Sequence, residues 1–454
     1  MNVLDPQALP RVTMPLPGPQ SQQWLQRLRA CESPNVTAVG ADFPIVWQQA
    51  RGAVVQDVDG NQLLDLGSAF GVALIGHNHP EIVAAVHAQT DRLLHGMGDV
   101  HPPAVRIALL ERLQQLAPGD LGHAVLCGGG SEAVEVAQKT ALLATGKPGV
   151  IAFAGSYHGL GHGALSATSR RDFREPFSAH LSQHVSWVPF PQPLHPPAGV
   201  AADRVVEHVL GRVTDLLEHP SQGGIPIGAV LVEPIQGRGG SIVPPPEFLK
   251  QLAALCRDRG VLLIADEIFT GLGRTGQLWA GGEVVPDLLC VGKALGGGMP
   301  ISACLGRPEV MAAWGPSRGE ALHTSTFLGH PVAAAAALAT LDLIERDNIA
   351  GQAAEQGAAW LRELSEALRD VPGLVELRGA GLMIGIELAD IKCKTAGQRV
   401  WNWVVAALQQ GIIVLPAGAR GEVLQLTPPV SVTAEQRSIA VAALQRALWA
   451  AERA

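Results

Sequence analysis

Five short, nearly uninterrupted apolar runs constrain the fold of this chain more than any other feature. Residues 124–127, 150–153, 228–232, 261–265 and 287–291 are apolar almost throughout. A strand that faces water on one side alternates apolar with polar residues, so continuous runs belong to strands covered on both faces. Amphipathic stretches such as 131–144 and 246–259 lie between them. Strand and helix in alternation predict an α/β fold with a mostly parallel, doubly wound sheet. No period of 20–50 residues repeats, which removes solenoids and propellers.

The last third reads differently. Residues 331–347 and 351–370 have helical patterning, 375–387 hold short strands around Arg378-Gly-Ala-Gly-Leu-Met383, and 400–410 and 434–453 are again helical. This is a smaller α+β module. Residues 1–75 join it, because 54–66 reads as a hairpin turning at Asp59-Gly60-Asn61. The expected organisation is an N-terminal segment (1–75) joining the small domain, a large domain (76–330) and a C-terminal small domain (331–454), within the two or three domains that 454 residues allow.

Composition removes several partners. A chain that is 47% hydrophobic and 16% charged is not disordered. Its net charge of −8, with no basic block, argues against nucleic acid. The longest apolar stretch, 331–344, is too short for a bilayer core of about 30 Å. Residues 1–23 are rich in Pro and Gln and lack the apolar segment of a signal peptide. Six dispersed cysteines (Cys31, Cys127, Cys256, Cys290, Cys304, Cys393) form no CxxC pair and no ligand-like spacing to His. Reduced thiols, no bound metal and a soluble, cytoplasmic protein are expected.

Three of the buried runs end in ionisable residues, at Glu233, at Asp266-Glu267 and at Gly292-Lys293. Ligands of open parallel sheets bind at the carboxyl ends of the strands. One such residue alone reads as a helix cap or a solvated loop residue. Three in one chain predict two carboxylates and one amine around a crevice, in a chain with only six lysines. The 124–127 run leads into Gly128-Gly-Gly-Ser131 and then a helix. Strand, glycines, hydroxyl and helix make a seat for phosphate, although neither a Walker loop nor GxGxxG is present. A phosphate seat, an amine and a neighbouring carboxylate describe a pyridoxal phosphate site, with the lone tyrosine, Tyr157, as a cover for the ring.

These residues resemble the class III aminotransferases, pyridoxal phosphate enzymes of fold type I that include 4-aminobutyrate and ornithine aminotransferases. Gly76-His-Asn-His-Pro80 is similar to the family's GHxHP, Gly130-Ser-Glu-Ala133 to GTEA, and Tyr157-His-Gly159 to YHG. Asp266-Glu-Ile-Phe-Thr-Gly-Leu-Gly-Arg-Thr-Gly276 resembles DEVxxGxGRTG, Pro286–Pro300 the lysine segment, and Thr326-Phe-Leu-Gly-His-Pro331 TFxGNP. The resemblance implies Lys293 as the amine that bonds to the cofactor and moves the substrate proton, with Asp266 at the pyridine nitrogen. It implies Gly130, Ser131 and Thr326 at the phosphate, Tyr157 and Ile268 on the two ring faces, and a homodimer, because the Thr reaches the partner's cofactor.

The substrate end departs from the family pattern. Arg238 stands where many members place Glu, Gln425 where many place Arg, and Phe269 where 4-aminobutyrate-type enzymes often place Gln. Arg238 is expected to take over the substrate carboxylate, the alternative being a solvated Arg on a glycine-rich loop. The leading expectation is ping-pong transfer of an amino group from an amino acid, such as 4-aminobutyrate or ornithine, to a 2-oxo acid. The alternative on the same fold is an amino-acid racemase or epimerase, with Tyr157, His158 or a water as the second acid. A binding protein without chemistry has no need of a desolvated Lys293, and a nucleotide enzyme lacks its fingerprint.

Overall fold

The structure is a computed structural model that describes residues 4–38, 40, 42–220, 224–391 and 394–453; Lys392 and Cys393 lie outside the described residues. The chain divides into two compact units, Met1–His79 with Gln352–Ala454, and Pro80–Gly351.

The smaller unit opens with β1 (Trp47–Arg51), β2 (Val54–Asp57) and β3 (Gln62–Asp65), paired antiparallel. Asp57 makes the β2–β3 turn. Its Oδ1 accepts the N–H groups of Asp59 and Asn61, and its Oδ2 accepts the Asn61 amide at 2.8 Å. A short carboxylate that captures nearby backbone donors is the physical reason Asp favours such turns.

The larger unit is built on seven strands. They are β4 (His123–Cys127), β5 (Gly149–Phe153), β6 (Val185–Val188), β7 (Ile227–Val232), β8 (Leu262–Asp266), β9 (Leu288–Val291) and β10 (Ser302–Gly306), in the spatial order β4-β10-β9-β8-β7-β5-β6. Six run in one direction and β10 alone runs against them. The five apolar runs are strands, and β6 and β10 are added to them.

Successive residues of each strand feed opposite faces, as the pleat requires. Ile151, Phe153, Val230 and Val232 join Phe248 and Leu252 in one core, whereas Val150, Ala152, Ala229 and Leu231 join Val134 and Ala137 in the other. The first core is covered by helices α1 (Val205–Glu218) and α2 (Phe248–Asp258). Phe153, Phe190 and Phe248 meet there edge to face with centroids 5.7–5.9 Å apart. Truncating the fully buried Phe248 to Ala would cost about 3–5 kcal/mol.

The helix over Pro331–Arg346, expected in the C-terminal module, packs against Pro80–Thr90 and Ala104–Leu116 within the larger unit. Its buried face includes Ala333, Ala334, Ala336 and Ala337, small residues that let the helices approach closely. The division therefore falls after Gly351 rather than at 330. The smaller unit adds β11 (Leu374–Ala380), β12 (Met383–Leu388), β13 (Ile412–Ile413), β14 (Leu415–Ala417) and β15 (Val423–Leu426). Of these, β13 extends the first hairpin sheet in parallel with β3, and the rest form a second sheet.

Cys31, Cys127, Cys256, Cys290 and Cys304 are free thiols. Among the described residues no helix is long and apolar enough to cross a membrane.

Candidate active site

The parallel strands β7, β8 and β9 deliver their carboxyl ends to one cavity of about 310 Å³. Glu233 follows β7, Asp266 ends β8, and Lys293 stands two residues beyond β9; all three line the cavity.

Asp266 is buried and held from two sides. Its Oδ1 accepts the Ile268 N–H at 3.1 Å, and its Oδ2 lies 2.7 Å from His158 Nδ1. An ionised Asp266 therefore requires its proton donor on Nδ1 of the imidazole, a charge-assisted bond that fixes the carboxylate's direction. His158 is itself held by its backbone N–H on Thr168 Oγ1 at 2.9 Å. Its Nε2 is buried with no hydrogen-bond partner among the described residues.

Lys293 has a φ of +43°, in the left-handed region that side chains avoid. Strain of this kind persists only where the surroundings over-determine it, and it gathers at functional sites. The Lys293 Nζ lies 3.8 Å from the centroid of the Phe269 ring. Burial pulls its amine down to about 8, although Asp266 and Glu233 favour the charged form. The neutral, nucleophilic amine is therefore a larger fraction than in an ordinary lysine at the same pH.

The glycine loop also contributes to the cavity, through Gly130 and Ser131. The helix over Gly130–Thr145 starts from Gly129 in extended conformation, with no side-chain cap. The N–H groups of Glu132 and Ala133 bond to the Gly129 carbonyl at 3.1 and 3.3 Å, so the donors this helix start offers an anion are those of Gly130 and Ser131. Gly130 is required by close approach, since a Cβ there would sit 3.1 Å from the Ile268 side chain. At Gly159, where φ is +121°, a Cβ would meet Ser131 Cβ at 2.6 Å. Gly130, Ser131, Tyr157 and Ile268 all line the cavity.

Arg238 also lines the cavity, rather than pointing to solvent. Its guanidinium carbon lies 6.0 Å from the Tyr157 ring centroid. Burial and the neighbouring Arg170 lower its pKa, while burial raises that of the Tyr157 phenol against the pull of Arg238 and Arg170. Glu233 is 5% exposed, and burial pushes it up to about 7. Glu267, also pushed up to about 7 by burial, works structurally: it accepts from the Thr270 hydroxyl and, at 2.8 Å, from the Gly281 N–H.

Two sequence candidates lie elsewhere. Thr326 is on an exposed turn and does not line its own chain's cavity. Gln425 is a buried residue of β15 in the smaller unit, in register with Gly385 and Leu415. Sequence reasoning missed the His158–Asp266 pair and the cavity-lining Leu160. The YHG motif was the available signal for His158, but its partner lies 108 residues away.

Comparison with known proteins agrees with this geometry. Residues 36–448 match the family model of the class-III aminotransferases. An alanine/serine racemase of Pyrococcus horikoshii is 33% identical over 449 residues, covering 97% of this chain and 92% of the racemase. An amine transaminase from an uncultivated Pseudomonas species, solved with pyridoxal phosphate bound, is 29% identical with a TM-score of 0.83, covering 92% of this chain and 98% of that one. The ornithine aminotransferase of Toxoplasma gondii is also 29% identical, with a TM-score of 0.81 and 95% of each chain covered. An amine and a carboxylate at adjacent strand ends, an uncapped glycine loop and a family match over nearly the whole sequence lead to one conclusion: the chain belongs to the class III aminotransferases, the pyridoxal-phosphate-dependent transaminases.

Proposed function

We propose that the protein transfers an amino group from an amino acid to a 2-oxo acid by a ping-pong mechanism, with ω-amino acids such as 4-aminobutyrate or ornithine among the donors. The observation that carries this reading is the Lys293 amine, brought down to about 8 in a cavity it shares with Asp266.

The residues present fit pyridoxal phosphate. The uncapped helix start at Gly130 and the Ser131 hydroxyl suit its phosphate. When bound, the cofactor supplies an aldehyde that bonds to amines and a ring that withdraws electrons from the substrate's α-carbon. Lys293 is the amine that would anchor that aldehyde and, when free, would hold the α-proton at its Nζ. Asp266, aimed by His158 and the Ile268 N–H, would hold a proton on the ring nitrogen. Tyr157 and Ile268 would be the residues that hold the ring between them. Arg238 holds the substrate carboxylate through a guanidinium fork.

Thr326 completes the phosphate seat of a second copy, so the working unit is a homodimer with shared sites; its exposure away from its own cavity supports this. A cytoplasmic location belongs to the same reading, supported by the free thiols.

The test mixes the holoenzyme with a panel of amines and amino acids and follows the cofactor's absorbance as it gains the amino group. No conversion with any donor would remove the transaminase reading. Arg238→Ala should raise KM for the oxo acid about tenfold or more; an unchanged KM would remove its carboxylate role.

A second reading has its own support, since the racemase from Pyrococcus horikoshii is a relative at 33% identity. Racemisation needs an acid on the face opposite Lys293. Tyr157 and His158 line the cavity, and His158 Nδ1 is engaged with Asp266, so Tyr157, the second nitrogen of His158 or a water is the acid in that reading. Chiral analysis of an L-amino acid incubated without any oxo acid separates the two: accumulation of the D form would favour the racemase.

A further inference from the structure

We infer that Glu233 is the positioning residue that sets Tyr157 against Arg238, clamping two loops with one carboxylate and thereby fixing the enzyme's grip on the substrate carboxylate. The second half of this inference rests on the role proposed above for Arg238.

The geometry is specific. Glu233 Oε1 accepts the backbone N–H of Tyr157 at 2.9 Å, and Oε2 accepts that of Gly237, the residue before Arg238, also at 2.9 Å. One loop follows β5 and the other follows β7, and each carries a side chain that lines the cavity. With both loops tied to the same buried group, the Arg238 guanidinium faces the Tyr157 ring at 6.0 Å, within cation–π reach.

The choice of an acid follows from donor arithmetic. An ionised carboxylate has two acceptor oxygens and no donor, so it can serve two N–H groups at once. A glutamine would turn its own NH₂ toward one of them and release that loop. Burial opposes the ionised form, so retaining an acid here has a cost that only the clamp offsets. Gln236 ties the same two loops farther out, through Nε2 to the Ala154 carbonyl at 2.8 Å. Losing the Glu233 carboxylate should therefore loosen the loops without unfolding them.

Tyr157 is the only tyrosine in the chain. In holoenzyme labelled with carbon-13 at the tyrosine ring, a single resonance reports its phenol as pH is raised. Wild type should titrate above an ordinary tyrosine, because of burial. In Glu233→Ala that titration should fall toward the ordinary value. KM for an oxo acid should rise about tenfold, more than kcat falls, while KM for a neutral aldehyde acceptor changes less than about twofold. Glu233→Gln, which keeps one acceptor oxygen, should move both readouts in the same direction by less, and it serves if the alanine variant does not fold.

A phenol titration unchanged in both variants would overturn the clamp. If the phenol moves but Arg238→Ala leaves KM for the oxo acid unchanged, the clamp stands and the carboxylate role of Arg238 falls. If Arg238→Ala raises that KM and the Glu233 variants move the phenol without touching KM, Arg238 is held by other contacts and the second half of the inference is wrong.

Discussion

The two edges of the seven-stranded sheet carry a cavity each, and the larger one is at the amino edge. There, about 420 Å³ is lined by Lys147, Arg257, Arg307 and Asp287 around the starts of β8 and β9. The carboxyl edge offers about 310 Å³. Charge is present at both, but its condition differs. At the amino edge Arg257 is exposed, and Asp287 is used by the fold, with Oδ2 accepting the Leu263 N–H at 2.8 Å and Oδ1 lying 3.5 Å from Arg307 Nε. At the carboxyl edge Glu233, Asp266 and Glu267 are 5%, 4% and 1% exposed, and the one amine is shifted toward neutrality. Volume does not separate the two places. Desolvation of charged groups does, because it makes an amine nucleophilic and strengthens every field inside the cavity.

Substitutions should respect that contrast in order of size. Lys293→Ala should lower amino transfer at least about a thousandfold, and borohydride reduction of the holoprotein should leave no adduct on that segment by mass spectrometry. Asp266→Asn keeps the shape and removes the charge, so a loss of about a hundredfold in kcat is expected, with weaker cofactor retention on dialysis. His158→Asn leaves the carboxylate in place but unaimed, and about tenfold in kcat should be lost, with cofactor affinity changed less than in the Asp266 variant.

The pH response follows from the lowered amine. Below about 8, Lys293 is mostly protonated and unreactive, so bonding of a small aldehyde to the apoprotein should speed up with pH and level off above that value. A rate still climbing steadily toward the ordinary lysine value would show that burial does not depress the amine. At the other edge, Arg257→Ala should change kcat/KM less than about twofold and stability by no more than about 0.5 kcal/mol. A large loss there would erase the contrast between the edges.

The parts of this molecule legible in the sequence are those dictated by burial on two faces. Val230, Leu231 and Val232 or Leu263, Ile264 and Ala265 admit no other reading, and the residues that end such strands point to the carboxyl edge. β6 was not legible, because Val185-Ser-Trp-Val188 is a sheet-edge strand with three residues only partly buried. Nor was β10, whose Ser302-Ala-Cys-Leu-Gly306 has small residues and no β-branched run. In the site, the amine and the acid announced themselves through local motifs. The clamp at Glu233 and the His158–Asp266 bond did not, since both join segments far apart in the chain and depend on atoms that no local pattern encodes.

The reversed direction of β10 has a consequence for how the enzyme is made. β4, the strand that carries the glycine loop, is an edge strand whose one neighbour in the sheet, among the described residues, is β10. Ser302, at the start of β10, also donates to the Gly129 carbonyl at 2.7 Å, across 173 positions of sequence. A nascent chain emerging from the ribosome therefore holds the loop's residues long before it can hold the loop's shape. The glycine loop takes its final shape only with a strand synthesised after Lys293.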